Sequence, residues 1–477
     1  MPCAVLAQVT SSGVTSVPTT VTLGFESVSL PRGERMGMTS SSLLFVIGRD
    51  WALGPAVYGA GSGQRGGFFV GGVELQRLWS LSPGVSLATG IYVGGGGGAA
   101  APVGDGLMLR SSVTLLKDLG PSFQLGLSWS SIRFPGGQIA SDQLGLVAVW
   151  RNEFVHLEGA HGDPVPPLSQ ATGLGFDRMS ASVSRYRLGS AGGRRIGLAG
   201  ARAERRSNVD GLTWGLEAGA AAQGDAAGYM ELLGTTGFSI APLASAWPAW
   251  RVGLRAGAGL AGGGAVPTGG GAVAKVSGTT EWRVAPGWTV GSEFGWVRSA
   301  DGSLRARQVQ FWLGIDLEPG VDGLGYASGH VVRTEWVGAL QHHARIERRD
   351  GARASLDTIG LELNRYLDEH VYLSGQAHSA FAGGVGGYSV GMVGAGLATS
   401  PTARWRTGIE ALLGAAGGGG VVTSGGAIAQ TVGWASWAPA AGRELRAGLG
   451  ITRTLRSGFT SPVVELSWSQ AFGMMGR

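Results

Sequence analysis

The sequence has few charged residues, almost no lysine and a single cysteine. Asp, Glu, Lys and Arg make up 14% of its 477 residues, against roughly 25% in an ordinary soluble domain. Cys3 is the only cysteine, which excludes a disulfide framework and a cysteine-based metal site. The formal charge of +5 is scattered along the chain without the basic stripe that binding to a phosphate backbone requires, so we expect no nucleic-acid partner.

No stretch has the composition of a transmembrane helix. The longest charge-free, glycine-rich stretch, residues 256–274, is long enough to span a bilayer, but its many glycines and Pro267 exclude a lipid-facing helix. Glycine is instead abundant, with 88 residues, and apolar residues are spread singly along the chain. Part of the glycine content reflects the bias of a GC-rich genome, which also accounts for the scarcity of lysine. The spread of the apolar residues is the feature that favours strands over helices.

The N-terminus has one feature of an export signal. Val5 and Ala7 are the small residues expected at positions −3 and −1 of a signal-peptidase site, although the usual basic and apolar regions are missing. We interpret residues 1–16 as a signal-peptide remnant and N-terminal tail, which predicts export.

Most of the chain consists of segments in which apolar residues alternate with small or polar residues. In Trp250–Leu260, for example, Val252 and Leu254 share one face, and Arg251 and Arg255 share the other. These predicted strands are separated by Gly, Pro, Asp, Asn or Ser turn signals. Their length is near the roughly 9 to 11 residues that a tilted strand needs to cross a membrane.

Internal repetition is the second strong pattern. Three glycine clusters, Gly94–Gly98, Gly262–Gly264 and Gly417–Gly420, are each preceded and followed by a predicted strand, and the passages after them align without gaps. We interpret Gly94–Gly98 as a hairpin turn or bulge, because the Lys-Ser/Thr and the following helix of a phosphate-binding loop are missing. The pattern predicts three β repeats of about eight strands each, separated by proline-rich or glycine-rich breaks at 161–169 and 318–325, with bounds 17–153, 175–318 and 327–472.

These features together resemble bacterial outer-membrane β-barrel proteins as a class. The final segment, Val463–Phe472, is similar to the terminal strand of that class, although five residues follow Phe472 where the class usually ends on the aromatic residue. The resemblance implies an all-β fold, a transmembrane antiparallel up-and-down barrel in the bacterial outer membrane. It implies contact with outer-membrane lipid and lipopolysaccharide, and with other envelope or secretion proteins.

Two arrangements of the repeats are open, one barrel of about 24 strands or three eight-stranded barrels in tandem. A small barrel must fill its interior with side chains, whereas a wide barrel leaves an aqueous lumen. Because the faces that are not apolar are largely Gly, Ala, Ser and Thr with some Arg, they are poorly suited to plugging small barrels. We therefore expect the three repeats to form one wide barrel.

A search for catalytic or cofactor sites gives weak candidates. His342 and His343 are adjacent, so on a strand they point to opposite faces and cannot chelate one ion. His378 and Ser379, with Glu362 on the preceding strand, invite comparison with lipid-hydrolysing barrels, but they diverge for the same reason. We predict no enzyme activity, no metal site and no cofactor.

Several arginines are candidates for lining a lumen that favours anionic solutes, namely Arg251, Arg255, Arg404, Arg406 and Arg446. Many of the sixteen tryptophans lie near predicted strand ends, as in an interfacial aromatic girdle. The leading functional hypothesis is a pore or export conduit for solutes or polymers. The alternatives are a structural or surface-interaction barrel without transport and, in third place, a soluble secreted β-solenoid or propeller.

Overall fold

The structure is a computed structural model that describes residues 13–189, 193–207, 209–318, 321–322, 325–326, 328–401, 403–456 and 458–476. The described chain is built almost entirely from antiparallel strands, as predicted. Most of the predicted signal-peptide remnant, including Cys3, Val5 and Ala7, lies outside the described residues. Among the described residues, no helix is both long and apolar enough to span a membrane.

The first eight strands pair in chain order, and the first then pairs with the eighth, for example Val21 with Trp150. This closed ring, barrel 1, contains β1 (Val14–Ser29), β2 (Arg35–Val46), β3 (Trp51–Ser62), β4 (Phe69–Ser82), β5 (Val85–Gly97), β6 (Met108–Asp118), β7 (Phe123–Arg133) and β8 (Ala140–Leu157). A 3-10 turn, Pro31–Gly33, connects β1 to β2, and a short strand, β9 (Pro164–Val165), follows β8.

Barrel 2 is closed in the same way, with Val183 of its first strand paired to Phe311 of its last. Its strands are β10 (Arg178–Leu188), β11 (Arg195–Arg206), β12 (Leu212–Gln223), β13 (Met230–Ile240), β14 (Trp250–Gly262), β15 (Ala272–Ala285), β16 (Trp288–Ser299) and β17 (Arg305–Asp316). A small hairpin of β18 (Val321–Asp322) and β19 (Gly325–Tyr326) follows.

In barrel 3 the closing pair joins Leu340 to Leu466. The strands are β20 (Gly329–Glu347), β21 (Arg353–Tyr366), β22 (Val371–Ala382), β23 (Ser389–Ala398), β24 (Trp405–Gly417), β25 (Ala427–Ala440), β26 (Arg443–Thr454) and β27 (Thr460–Gly476). Barrels 1 and 3 belong to one sheet because β9 pairs with β20 and Gly473 pairs with Leu157.

The expectation of one wide barrel of about 24 strands is therefore wrong. Strands β10 and β17 pair with each other and so cannot continue a ring through β8 and β20. Most inward-facing residues are small, but this does not require a wide barrel. One large charged or aromatic side chain from each of several strands is enough to fill a narrow barrel.

The two ends of the barrels differ in loop length. At one end, where every barrel begins and finishes, two residues separate β4 from β5, β15 from β16 and β25 from β26. We call this the linker end. At the opposite end, the loop end, ten residues separate β5 from β6, and nine separate β14 from β15 and β24 from β25. The linker end has one connection of similar length, nine residues between β13 and β14, but its other connections between consecutive strands of a barrel have two to six residues.

The glycine clusters are where the three barrels touch at the loop end. A Cβ built on Gly67 of barrel 1 would lie 2.1 Å from the Gly263 nitrogen of barrel 2, and Gly66 N donates a 2.8 Å hydrogen bond to Gly269 O. A Cβ on Gly417 of barrel 3 would lie 2.2 Å from Gly228 N of barrel 2. Backbone therefore packs directly on backbone at these junctions, with no room for a side chain.

The third junction joins barrel 3 back to barrel 1. A Cβ on Gly387 would lie 2.7 Å from Gly98 N, and Gly386 N donates to Gly104 O at 3.1 Å. Equivalent segments of each barrel thus contact the next barrel in a closed cycle, the arrangement of a three-membered ring. The clusters are strand ends and loops that form the contacts between barrels, so the interpretation of Gly94–Gly98 as a hairpin turn or bulge is incomplete.

Barrels 1 and 3 also meet at the linker end through aromatic rings. Phe45 and Phe154 of barrel 1 pack edge-on against Trp336 and Phe472 of barrel 3, with centroid distances of 4.9 Å for Phe45 to Trp336 and for Phe154 to Phe472. Edge-to-face pairs at this separation are favourable beyond the area that they bury. The contact fixes these two barrels side by side.

The linkers and the end of β27 are held together by buried polar contacts. Glu318 is fully buried, and its Oε1 accepts hydrogen bonds from the amide and the hydroxyl of Thr172. The Thr172 hydroxyl in turn accepts from the Met475 amide at 3.0 Å. Arg365 donates to the carbonyls of Leu317, at 2.8 Å, and Met475, at 2.9 Å. One cluster therefore ties both linkers to barrel 3.

Gly67→Ala should destabilise the junction of barrels 1 and 2. Gly33→Ala is the matched control, since Gly33 has a similar positive φ of +77° against +93° but nothing within 4 Å of its Cβ position. We expect the control to lose about 1 kcal/mol of unfolding free energy from backbone strain alone. The test variant should lose roughly 1 to 3 kcal/mol more, as measured by urea unfolding in detergent. Equal losses would contradict the proposed contact.

Burial raises the pKa of the Glu318 carboxyl from 4.5 to about 7. The folded chain then binds a proton that the unfolded chain releases, so the free energy of unfolding should fall as pH rises from about 4.5 to about 7, by up to roughly 3 kcal/mol. Above that range it should be level. Glu318→Gln, which cannot ionise, should lose this part of the pH dependence, while the exposed Glu369→Gln should keep it. Melting temperatures between pH 4.5 and 8 check both.

Candidate functional site

The outer surface of all three barrels is apolar over the middle of the strands. One leucine from each barrel illustrates this, since Leu144 is 72%, Leu254 69% and Leu449 70% exposed. Exposed tryptophans lie near the linker end in every barrel, namely Trp51, Trp79, Trp150, Trp214, Trp282, Trp288, Trp405. An apolar band with an aromatic rim is the outer surface of a membrane β-barrel.

Closed antiparallel barrels with an apolar exterior and a polar interior span the bacterial outer membrane, because closure leaves no strand edge unpaired in hydrocarbon. The three barrels lie in that membrane. The longer loops of such proteins face outward and the short turns face the periplasm, so we take the loop end as the external end.

The interior of barrel 1 contains a charged pair in a shell of hydroxyl groups. Arg110 donates to Glu26 through Nε at 3.1 Å and through Nη2 at 3.3 Å. Ser130 donates to the same carboxylate at 2.5 Å and accepts from Gln143 at 2.7 Å. Arg110 also lies 5.5 Å from the ring centroid of Tyr58.

Barrel 2 has a larger interior network, built on Glu293 and Glu217. Glu293 contacts Arg202 at 2.8 Å and Arg255 at 3.2 Å. Glu217 contacts Arg202 at 2.8 Å and Lys275 at 2.5 Å. All of these side chains are at most 9% exposed. Three cations are therefore bridged across the centre of the barrel by shared carboxylates.

The interior of barrel 3 has the same design with different residues. Glu335 contacts Arg446 at 2.5 Å and Arg406 at 3.2 Å, and Glu444 contacts Arg406 at 2.5 Å. Arg333 reaches Glu335 at 2.7 Å and Glu444 at 2.8 Å from the linker end. The network closes this barrel near the linker end with paired charges.

Three further glutamates face the barrel 3 interior nearer the loop end. Glu410 accepts hydrogen bonds from Tyr372 at 2.6 Å and Gln376 at 2.8 Å, and Glu465 accepts from Gln341 at 2.9 Å. Glu362 lies 3.9 Å from the Nε2 atom of His378. Polar groups thus fill this barrel along most of its height.

The structure separates the five arginines that the sequence analysis selected. Arg255, Arg406 and Arg446 point into barrel interiors and are held in the networks described above. Arg251 lies near the linker end, where its guanidinium donates to the Ser239 carbonyl at 2.8 Å. Arg404 is exposed, and its guanidinium lies 5.9 Å from the Trp437 ring centroid.

The adjacent residues of the two weak catalytic candidates point to opposite faces of their strands, as predicted. His378 is buried inside barrel 3, whereas the hydroxyl of Ser379 is 3.1 Å from that of Ser389 on the opposite face of the strand. His343 is buried inside, and the exposed His342 pairs with Asp357 at 2.7 Å. Within the described ranges, no group of three or more His, Cys, Asp or Glu residues is arranged to hold a metal ion.

Glutamates are the functional side chains that sequence reasoning missed. Glu26 and Glu217 are the only charged residues of their strands, and Glu335 shares β20 with Arg333; all three are at positions that face the interior. The one available signal was their phase, because each falls on the strand face opposite the leucines and tryptophans.

Comparisons with known proteins give only distant structural similarities. No protein-family model matches the sequence, and curated proteins give no significant match. Among solved structures, the outer-membrane protein OpdK from Pseudomonas aeruginosa is 11% identical, with 96% of this chain and 99% of that chain covered and a TM-score of 0.23. The siderophore receptor PirA from Acinetobacter baumannii is 9% identical, with 98% and 81% covered and a TM-score of 0.29. Neither similarity bears on the function of this chain.

Arg446→Leu should strongly destabilise barrel 3. The variant leaves Glu335 and Glu444 in a buried site with one cation fewer, and breaking a buried ion pair costs about 3 to 5 kcal/mol. Arg404→Leu, at the exposed arginine, should change the free energy of unfolding by less than about 0.5 kcal/mol. Urea titration followed by the gel shift between heated and unheated samples measures both. Equal effects would contradict the structural role assigned to the interior network.

Proposed function

We propose that the chain is a structural and surface-interaction protein of the outer membrane, in which three closed barrels form one rigid unit without an open pore and without catalysis. The observation that carries this proposal is the filling of the interiors by ion pairs, above all Arg202 with Glu293 and Arg406 with Glu335.

The energetics of these pairs support a closed interior. Opening a water-filled path would require a cation such as Arg406 to leave two carboxylates and the Tyr366 hydroxyl, to which it donates at 2.6 Å. Breaking a buried pair costs several kcal/mol unless another partner replaces it. An eight-stranded barrel is also just wide enough for side chains to fill it. A pore or export conduit, the leading hypothesis from the sequence, would need this network to rearrange.

The ring of barrels supports a role in presenting a surface. The loop-end junctions hold Gly66 to Gly269 and Gly386 to Gly104 through backbone hydrogen bonds, so the external loops of different barrels are fixed relative to one another. Three eight-stranded barrels joined in this way offer a broader rigid platform than a single eight-stranded barrel. Such a platform suits contact with another envelope component or with the outer leaflet.

Conductance in a planar bilayer tests the proposal. The purified, refolded full chain should insert, as shown by heat-modifiable migration, and should give no large, stable conductance steps. The double variant Glu335→Ala/Arg446→Ala, which removes two large interior side chains together with their opposite charges, reports whether an opened interior is detectable in the assay. Large, stable steps from the wild-type chain would overturn the proposal and favour the pore or export conduit.

A further inference from the structure

Six arginines of barrel 2 form an exposed band on its outer surface at the loop end. They lie on four adjacent strands, β16, β17, β10 and β11. The contacts with the other barrels are made mostly by β12, β14 and β15, and among the four strands β11 also contacts β24 of barrel 3. All six are exposed: Arg185, Arg187, Arg195, Arg298, Arg305 and Arg307.

The strand register places like charges directly opposite one another. Arg187 lies between Arg195 on one neighbouring strand and Arg307 on the other, and Arg298 is opposite Arg305. Like charges directly opposite in an antiparallel pair destabilise the sheet. Asp301, in the loop between β16 and β17, accepts a hydrogen bond from the Gly270 amide at 2.9 Å. The arrangement therefore favours an external anion that several arginines can share.

The corresponding strand ends of the other barrels lack arginines directly opposite one another. In barrel 1, Arg133 is opposite Ala140 and pairs with Asp142 at 3.0 Å. Barrel 3 also has exposed arginines at its loop end, but Arg353 is opposite Glu347 and Arg453 is opposite Thr460. The direct juxtaposition of like charges therefore distinguishes the band of barrel 2.

The surroundings of the band match a lipid. On three of the four strands, the outward side chain two residues further from the rim is large and apolar, with Trp296 57%, Val183 61% and Val309 39% exposed. An arginine layer directly above an exposed apolar surface fits an amphiphile whose anionic groups lie at the membrane surface and whose acyl chains lie below. At the external end of an outer-membrane barrel, that amphiphile is a phosphorylated lipid of the outer leaflet.

We propose that this band binds the phosphate groups of lipid A, the phosphorylated glycolipid anchor of lipopolysaccharide. Guanidinium groups bind phosphate oxygens with paired hydrogen bonds, and one phosphate reduces the repulsion among several of them. The inference goes beyond the proposed function and does not depend on whether the barrels conduct.

Native mass spectrometry of the full chain in mild detergent, titrated with bisphosphorylated lipid A, measures the binding. Arg307→Asp places a carboxylate beside arginines, as Asp142 lies beside Arg133 in barrel 1. It removes one positive charge and adds a negative one, and each charge near an anionic lipid changes the affinity about fivefold. The variant should therefore bind lipid A about tenfold or more weakly than wild type. Arg307→Lys keeps the charge and should stay within about fivefold of wild type. Arg453→Ala, at the matching rim of barrel 3, should change binding less than about twofold.

The same titration with monophosphorylated lipid A separates phosphate recognition from acyl-chain contact. We expect the wild type to bind the monophosphorylated lipid more weakly than the bisphosphorylated lipid. Arg307→Asp should bind the two lipids with similar affinity. Equal binding of both lipids by the wild type, or equal loss in Arg307→Asp and Arg453→Ala, would overturn the proposal. Heat-modifiable migration of every variant shows that the barrels have folded.

Discussion

The constraint on which this structure depends is that every backbone amide and carbonyl inside a membrane must have a partner, so each strand needs a neighbour on both sides. Here that requirement is met three times over, by rings closed between β1 and β8, β10 and β17, and β20 and β27. The apolar faces of the strands contact lipid, so the inward faces are the polar ones. Because each ring is narrow, the inward side chains must also fill its interior. Buried ion pairs such as Arg202 with Glu293 satisfy both demands, since each carboxylate compensates the charge of the cation beside it.

The junctions between barrels follow from a different property of the chain. Along the strands, lipid leaves little hydrophobic gain from bringing two apolar surfaces together. The barrels instead associate at the loop end, through close backbone packing and hydrogen bonds. The contacts of Gly67 with Gly263, Gly228 with Gly417 and Gly387 with Gly98 are of this kind. The abundance of glycine, which composition alone explains only as bias, thus has a specific structural use at these strand ends.

Much of the fold could be predicted from alternation alone. The face assigned to Leu254 is the exposed one, and Arg255 on the other face is buried, as the pattern in Trp250–Leu260 predicted. Which strands close on which could not be predicted, because the register of a closing pair such as Val183 with Phe311 depends on contacts more than 100 residues apart. The interior network was missed for a related reason. Glu217 and Arg202 meet only after their strands are in register, and an inventory of the commonest inward residues overlooks the rare large ones.

The position of the closing pairs has a consequence for the order of folding. In a single large ring the first strand, Val14–Ser29, would have to wait for the last, Thr460–Gly476, before its free edge was paired. In the observed arrangement its partner is Ala140–Leu157. The entropy lost in closing a loop grows only slowly with length, but folding rates fall steeply as contacts become more distant in sequence. Each barrel can therefore seal its edge while the next is still unfolded, which limits the time during which unpaired strands are exposed to aggregation.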